Sequence, residues 1–178
     1  FCEPKSILGG HPERDKIPGV EASTGALGHG VPIAVGMALA AKIKNKDYKT
    51  YVVTGDGEIN EGSVWESAMS ASKHKLNNLC VLVDHNKLQS YGPVEEVLDM
   101  GNLSNKWKSF GFCVQDIDGH DILQLKKSLN NLSEKMPNAI ICNTIKGKGL
   151  PFAENNPKWH HKAKLTDDDL QMINNYFD

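Results

Sequence analysis

Two short apolar runs constrain the fold of this chain more than any other feature. Tyr51-Val52-Val53-Thr54 and Leu79-Cys80-Val81-Leu82-Val83 are rich in β-branched residues and bounded by turn formers. Runs of this length and composition read as strands buried on both faces, the habit of a parallel sheet. The first runs into Gly55-Asp56-Gly57 and the second leads to Asn86-Lys87-Leu88. Asp56 and Asn86 therefore fall just past the carboxyl ends of two strands, where open α/β sheets bind ligands. A carboxylate and an amide oxygen, backed by glycines that let the backbone come close, suit Mg²⁺ or Ca²⁺ together with a phosphate group. Alone, the Gly-Asp-Gly triplet reads as an ordinary turn after a strand. Its pairing with an asparagine thirty residues on, across one helix-like segment, gives it more weight.

Around that pair the pattern alternates. Residues 1–30 read as a glycine- and proline-rich loop, and a loop that long within a compact domain is functional or disordered. His11 and His29 within it read equally well as exposed loop histidines. Residues 31–44 read as a helix, with Pro32 in its first turn and Lys42 and Lys44 in its last. Its near-continuous apolar surface, with Gly36 and Ala38 permitting close approach, implies burial on most sides, part of it against another chain. The preceding glycine turn aims free N–H groups at a possible anion site.

Residues 62–75 are expected to be a helix, with Ser63 as N-cap and Glu66 as the capping-box acid; that cap is the plain reading of Glu66. Glu61 is a carboxylate favoured by the same helix N-terminus. A loop is expected at 90–101 and a short helix at 102–110 with Leu103, Trp107 and Phe110 inward. A strand-like run from Phe112 should end at Asp116. His120 reads as a local turn residue. Helix 121–133 carries Ile122, Leu125, Leu129 and Leu132 on one face, and 139–144 is another strand. The Lys146–Gly149 stretch lacks P-loop spacing. The adjacent His160 and His161 point in different directions in an extended chain, which argues against a shared metal. A capped final helix begins near Thr166, with Asp167, Asp168 and Asp169 as a solvated N-terminus. The fold class is thus α/β, a doubly wound, mostly parallel sheet with helices on both faces.

Composition narrows the function. The 178 residues make one domain with enough chain for a core. A net charge of −2 points to neither nucleic acid nor an anionic membrane, and no apolar run is long enough to span a bilayer. The four cysteines have no Cys-x-x-Cys spacing, and three lie in apolar runs, which favours buried thiols in a reducing cytoplasm over disulfides. The chain opens at Phe1 without an initiator methionine, so residues upstream are expected to be missing.

Eight blocks, in order and spanning nearly the whole chain, carry a resemblance: GHPE (10–13), PGVE (18–21), TGALGHG (24–30), GDGEINEG (55–62), NKLQ (86–89), DIDGHD (116–121), NTIKGKG (143–149) and NNPKWHHK (155–162). The chain resembles the diphosphate-binding half of transketolase, in the split form where that half is a separate polypeptide. Other thiamine enzymes share the GDG and Asn pair but do not usually share the GHPE and DIDGH blocks.

The resemblance implies thiamine diphosphate and Mg²⁺ (or Ca²⁺) as cofactors. The metal ligands would be Asp56, Asn86 and the Leu88 carbonyl. Cofactor contacts would come from Gly25, Ala26, Leu27, Gly55, Gly57, Glu58, Asn86 and His160. Catalytic roles would fall to His11, on the donor hydroxyls, and His160, with His161 its rival if the register slips by one. Glu61 and Glu66 would lie at a dimer interface and link two active sites. The residues 150–165 would form an active-site loop. The reaction would move a two-carbon ketol unit from a ketose (phosphate) to an aldose (phosphate).

The resemblance further implies a C-terminal, pyrimidine-binding partner chain that carries the activating glutamate, so this chain alone should not turn over. A homodimer of such pairs would follow. Three positions depart from the family habit: Ala26 where proline is usual, His29 where glutamine is frequent, and Ser90 where many members place a branched apolar residue near the thiazolium. Ser90 keeps open a split thiamine enzyme acting on an unusual sugar or an α-keto acid. A non-catalytic partner chain is a further alternative. A plain nucleotide-binding domain finds no GxGxxG or P-loop support.

Overall fold

The computed structural model describes residues 2–3, 5–160, 162 and 164–177. Helix α1 spans Gly30–Ile43, followed by β1 (Thr50–Gly55), a 3₁₀ turn (Glu58–Asn60), α2 (Gly62–Lys73) and β2 (Leu79–His85). A two-strand hairpin, β3 (Leu88–Gln89) and β4 (Gly92–Pro93), leads to the short helix α3 (Val94–Leu98). Then come α4 (Leu103–Ser109), β5 (Cys113–Asp118), α5 (Ile122–Asn130), β6 (Asn138–Asn143), a 3₁₀ turn (Pro157–Trp159) and α6 (Asp167–Phe177).

The main sheet has the order β1-β2-β6-β5, and every pairing is parallel. The chain steps one way from β1 to β2 and the opposite way from β5 to β6. Right-handed crossovers then place α2 and α5 on opposite faces. The apolar residues follow this division. Leu79, Val81 and Val83 of β2 join Ala139 and Ile141 of β6 in a core with α1, α2 and α4. The alternate residues Cys80, Leu82, Ile140 and Cys142 meet Leu125, Leu129 and Leu132 on the other face. Continuous apolar runs in β2 and β6 thus serve two cores at once, and the doubly wound reading holds; β1, expected to be buried on both faces, is instead an edge strand with Tyr51 and Val53 exposed on one face. On the α4 side Trp107 is fully buried between Trp65 and Phe112, with ring centroids 5.0 and 4.8 Å away.

Burial pushes the Cys80 thiol up to about 12, and Cys142 to about 11. Both therefore stay protonated and act as small apolar groups. Cys113 is only half-buried and Cys2 is exposed. Among the described residues no helix is long and apolar enough to cross a membrane.

Several expectations give way. The segment 90–101 contains part of the hairpin and α3 rather than loop alone. The β5 strand runs on to Asp118 because it keeps pairing with β6 to Asn143. Ile122 is 71% exposed, outside the apolar face that its helix buries. No described residue packs against the Gly36 side of α1. Ser63 is not the cap of α2: it sits inside the first turn, and Glu61 occupies the cap position without a side-chain bond to it. The Ser63 hydroxyl instead donates to the Gly28 carbonyl at 2.8 Å. Asp169 is buried and bonded rather than solvated. It accepts from the Thr166 N–H at 2.8 Å while its own N–H donates to Thr166 Oγ1 at 3.2 Å, a reciprocal cap for α6.

Candidate active site

The carboxyl ends of β1, β2 and β6 converge on one cleft of about 580 Å³. Asp56, His85, Asn86, Lys87, Leu88 and Thr144 contribute to its lining. Gly55 is the register partner of Asp84, and the Asp56 N–H donates to the Asp84 carbonyl at 3.2 Å, so β1 stays paired to its last residue. This brings Asp56 beside the turn that carries Asn86.

Asp56 is 1% exposed. Its Oδ2 accepts the Lys87 N–H at 2.5 Å and lies 3.1 Å from His85 Nδ1. A carboxylate only accepts, so His85 presents a protonated Nδ1 there. Its Oδ1 is buried and has no hydrogen-bond partner among the described residues. A buried carboxylate oxygen left without a donor carries a desolvation cost that a cation would remove.

The next ligand candidates are built by one strained turn. Lys87 has φ +66, a left-handed conformation uncommon for a side-chain-bearing residue. That twist lets its N–H reach Asp56 while its carbonyl accepts from the Val94 N–H at 2.9 Å. Asn86 Oδ1 accepts from the Leu88 N–H at 3.0 Å, and Asn86 Nδ2 donates to Asp84 Oδ2 at 3.1 Å. An amide oxygen has a second lone pair for a cation. Among the described residues no three His, Cys, Asp or Glu side chains cluster as a metal site. The donors here would be one carboxylate, one amide oxygen and the Leu88 carbonyl, a hard oxygen set. Such a set fits Mg²⁺ or Ca²⁺ that completes its shell with phosphate oxygens.

The flanking loop is tied to this turn by Glu58. Its Oε1 accepts the Gly28 N–H at 3.0 Å and its Oε2 the Gly55 N–H at 3.3 Å. Glu58 thus holds the loop that carries Gly25, Ala26 and Leu27 against the Gly55 end of β1. At Gly57 an added Cβ would lie 2.8 Å from the Gln89 Cβ, so the backbone passes close under that side chain. Gly25 has φ +123 and packs under the His11 imidazole, which an added Cβ would meet at 2.9 Å. His11 and Leu27 are exposed, outside the residues that line the cleft.

His160 reaches the hairpin, its Nε2 3.2 Å from the Ser90 hydroxyl. His161 lies outside the described residues. Glu61 and Glu66 are exposed at the start of α2. The aliphatic part of Glu61 packs on Gly28, where a Cβ would sit 2.4 Å from its own Cβ. His29 is exposed and bonds the Leu27 carbonyl, and His120 Nε2 accepts the Ile145 N–H at 2.8 Å, a local turn contact. Gly147 of the rejected phosphate loop has φ +78 and packs against the Ala153 carbonyl. Sequence reasoning did not single out Asp84, His85 or Thr144. Only their places at strand ends, next to the Asp56 and Asn86 positions, could have flagged them.

The fold and the cleft at the strand ends place the chain among α/β proteins that bind a charged cofactor there. Residues 1–177 match the family profile described as transketolase, thiamine diphosphate binding domain. The chain is 46% identical, over 92% of its length, to one of the subunits of the apulose-4-phosphate transketolase of Actinobacillus succinogenes. It is 37% identical over 93% of its length to a 6-deoxy-6-sulfo-D-fructose transketolase subunit of a Clostridium species. Human transketolase is 37% identical over 88% of the chain. The chain spans 59, 60 and 25% of these three relatives, respectively. Campylobacter jejuni transketolase superposes with a TM-score of 0.82 at 35% identity, covering 89% of this chain and 26% of that one. Pichia stipitis transketolase in complex with sedoheptulose-7-phosphate gives 0.81 at 29% identity, covering 99% of this chain and 28% of that one. This chain belongs to the transketolase family and comprises its thiamine diphosphate binding domain.

Proposed function

We propose that this chain is the diphosphate-binding half of a two-chain transketolase, dependent on thiamine diphosphate and Mg²⁺. The observation that carries the reading is the buried, unpartnered Oδ1 of Asp56 beside the Asn86 turn. Asp56, Asn86 and the Leu88 carbonyl hold the cation, and the Gly57 N–H contacts the diphosphate. Gly25, Ala26 and Leu27 lie against the cofactor rings, and Glu58 fixes that loop. When bound, thiamine diphosphate supplies the nucleophilic carbon and the electron sink through which a ketose C2–C3 bond breaks and the two-carbon unit joins an aldose.

His11 binds the donor hydroxyls. His160 stands 3.2 Å from the Ser90 hydroxyl. An imidazole at either position can accept or donate a proton. The partner chain brings the activating glutamate, two such pairs associate, and Glu61 and Glu66 lie at that dimer interface and link the two active sites. Relatives named as transketolase subunits, of which this chain covers 59 and 60%, support a two-chain assembly. The setting we infer is the cytoplasm. The test is reconstitution with a C-terminal, pyrimidine-binding transketolase chain. Ketol transfer that needs both chains, thiamine diphosphate and Mg²⁺ is the expected result; activity on α-keto acids alone would sink the reading.

A second reading differs only in the sugar. The relatives with unusual sugars in their names include one at 46% identity, against 37% for human transketolase. Ser90, small and polar, also stands against His160. On that reading the donor is a ketose outside the pentose phosphate pathway. Comparing apulose 4-phosphate and 6-deoxy-6-sulfo-D-fructose with fructose 6-phosphate as donors separates the two.

A further inference from the structure

We infer that Asp84 is a positioning residue of the cation site, fixing the direction in which the Asn86 amide faces; the inference rests on the cation reading above. Asp84 stands near the end of the central strand β2, with Gly55 of β1 and Cys142 of β6 as its register partners. Its carbonyl accepts the Asp56 N–H at 3.2 Å. Its side chain is used twice. Oδ2 accepts from Asn86 Nδ2 at 3.1 Å, and Oδ1 accepts from the Thr144 hydroxyl. Thr144 is the first residue beyond β6, and its own N–H donates to the His85 carbonyl at 3.2 Å. One carboxylate therefore ties the tips of β2 and β6, and its backbone ties β1.

The consequence lies in the chemistry of an amide. Its two ends are nearly equal in shape and opposite in function, one accepting and one donating. A carboxylate only accepts, so it can face only the NH₂ end of Asn86. The Leu88 N–H, a donor, meets the oxygen end. Both contacts select the same orientation, with Oδ1 available to a cation. The flipped amide would set oxygen against carboxylate and NH₂ against both the Leu88 N–H and the cation. Thr144 in turn keeps the Asp84 carboxylate from swinging away. Outer partners that orient metal ligands in this manner typically contribute about 10- to 100-fold in metal affinity.

The experiment uses the reconstituted two-chain complex with thiamine diphosphate and reads Mn²⁺ affinity by electron paramagnetic resonance, with the thermal midpoint of each variant beside it. Asp84→Asn is expected to weaken Mn²⁺ binding about 10- to 100-fold. Saturating Mn²⁺ should restore its retention of thiamine diphosphate. Thr144→Val keeps the charge of Asp84 but removes its anchor, and should shift affinity in the same direction by less. Thr144→Ser should return to wild type. That pair separates orientation from charge and serves as the test if Asp84→Asn fails to fold. Wild-type Mn²⁺ affinity in a folded Asp84→Asn complex overturns the inference. So do identical affinities for Thr144→Val and Thr144→Ser, or a cofactor loss that saturating Mn²⁺ does not restore. A wild-type complex with no saturable Mn²⁺ site overturns the cation reading itself, and this inference with it.

Discussion

The Lys87 N–H meets Asp56 Oδ2 at 2.5 Å, while the other oxygen of that buried carboxylate has no hydrogen-bond partner among the described residues. The carboxylate is half satisfied by the protein and half left for a ligand. Asp56→Asn keeps an acceptor for Lys87 but removes the charge that the proposed cation would need. Thiamine diphosphate affinity of the reconstituted complex, measured by calorimetric titration in Mg²⁺, should fall by more than about 100-fold, past the range seen for outer partners. The thermal midpoint of the isolated chain should not fall, because a buried charge that His85 and the Lys87 N–H compensate only in part has been removed. Unchanged cofactor affinity would refute the role given to Asp56.

Glu58 joins two backbone N–H groups, those of Gly28 and Gly55, from separate stretches of chain. Glu58→Ala leaves both donors without their acceptor, at a cost of about 1–3 kcal/mol for each that stays buried. Amide hydrogen exchange should quicken at Gly28 and Gly55 and stay unchanged in β6. Glu58→Gln, with one acceptor oxygen retained, should protect one of the two. Equal protection in wild type and Glu58→Ala would show that the loop is held by other means, the Ser63 bond to the Gly28 carbonyl being the first candidate.

Much of this was legible in the sequence, for a physical reason. The run 79–83 carries apolar residues on both faces, which only a two-sided burial uses, and 51–54 shares its composition, although β1 at the sheet edge leaves Tyr51 and Val53 exposed. That alone fixed the parallel sheet and set Asp56 and Asn86 at adjacent strand ends. Less legible was anything that depends on where a polar side chain finds its partner. Ser63 had the right spacing for a cap, yet the Gly28 carbonyl offered a competing acceptor across 35 residues of chain. Asp169 has the sequence context of a solvated helix acid, but the fold sets Lys162 beside it. Asp84 and Thr144 meet across 60 residues, a separation for which no local pattern exists. The short helix α3 was lost for a different reason: Glu95 and Glu96 read as an acidic loop, although acids suit a helix's first turn.

Two glycines should respond in opposite ways to the same methyl group. Gly28 has φ +75, and a Cβ there would lie 2.4 Å from the Glu61 Cβ. Gly28→Ala should lower stability by about 1–3 kcal/mol through the left-handed backbone alone, with the clash added to it. Gly36 lies within α1, and no described residue approaches the place its side chain would take. Gly36→Ala should raise the stability of the isolated chain by about 0.5–1 kcal/mol. Urea titrations of both variants measure the difference. A destabilised Gly36→Ala would mean that a second copy of the chain already packs on that face, which a concentration-dependent midpoint would reveal.

The last helix carries its own pH dependence. The Lys162 ammonium, first, and then the Thr166 N–H and hydroxyl bond the Asp169 carboxylate and hold it down to about 2. In an unfolded chain the same group titrates near about 3.9. A depressed folded value means that the carboxylate stabilises α6 above the unfolded value, and that this contribution disappears as pH falls toward about 2. Asp169→Asn should therefore be less stable than wild type at pH 7. The gap should hold down to about pH 4 and close below it. Lys162 also lies 4.4 Å above the Trp159 ring, so tryptophan fluorescence reports on the same corner. Parallel unfolding curves for the two proteins from about pH 7 to about pH 2.5, with a constant gap throughout, would show that the Lys162 and Thr166 contacts do not govern the docking of α6.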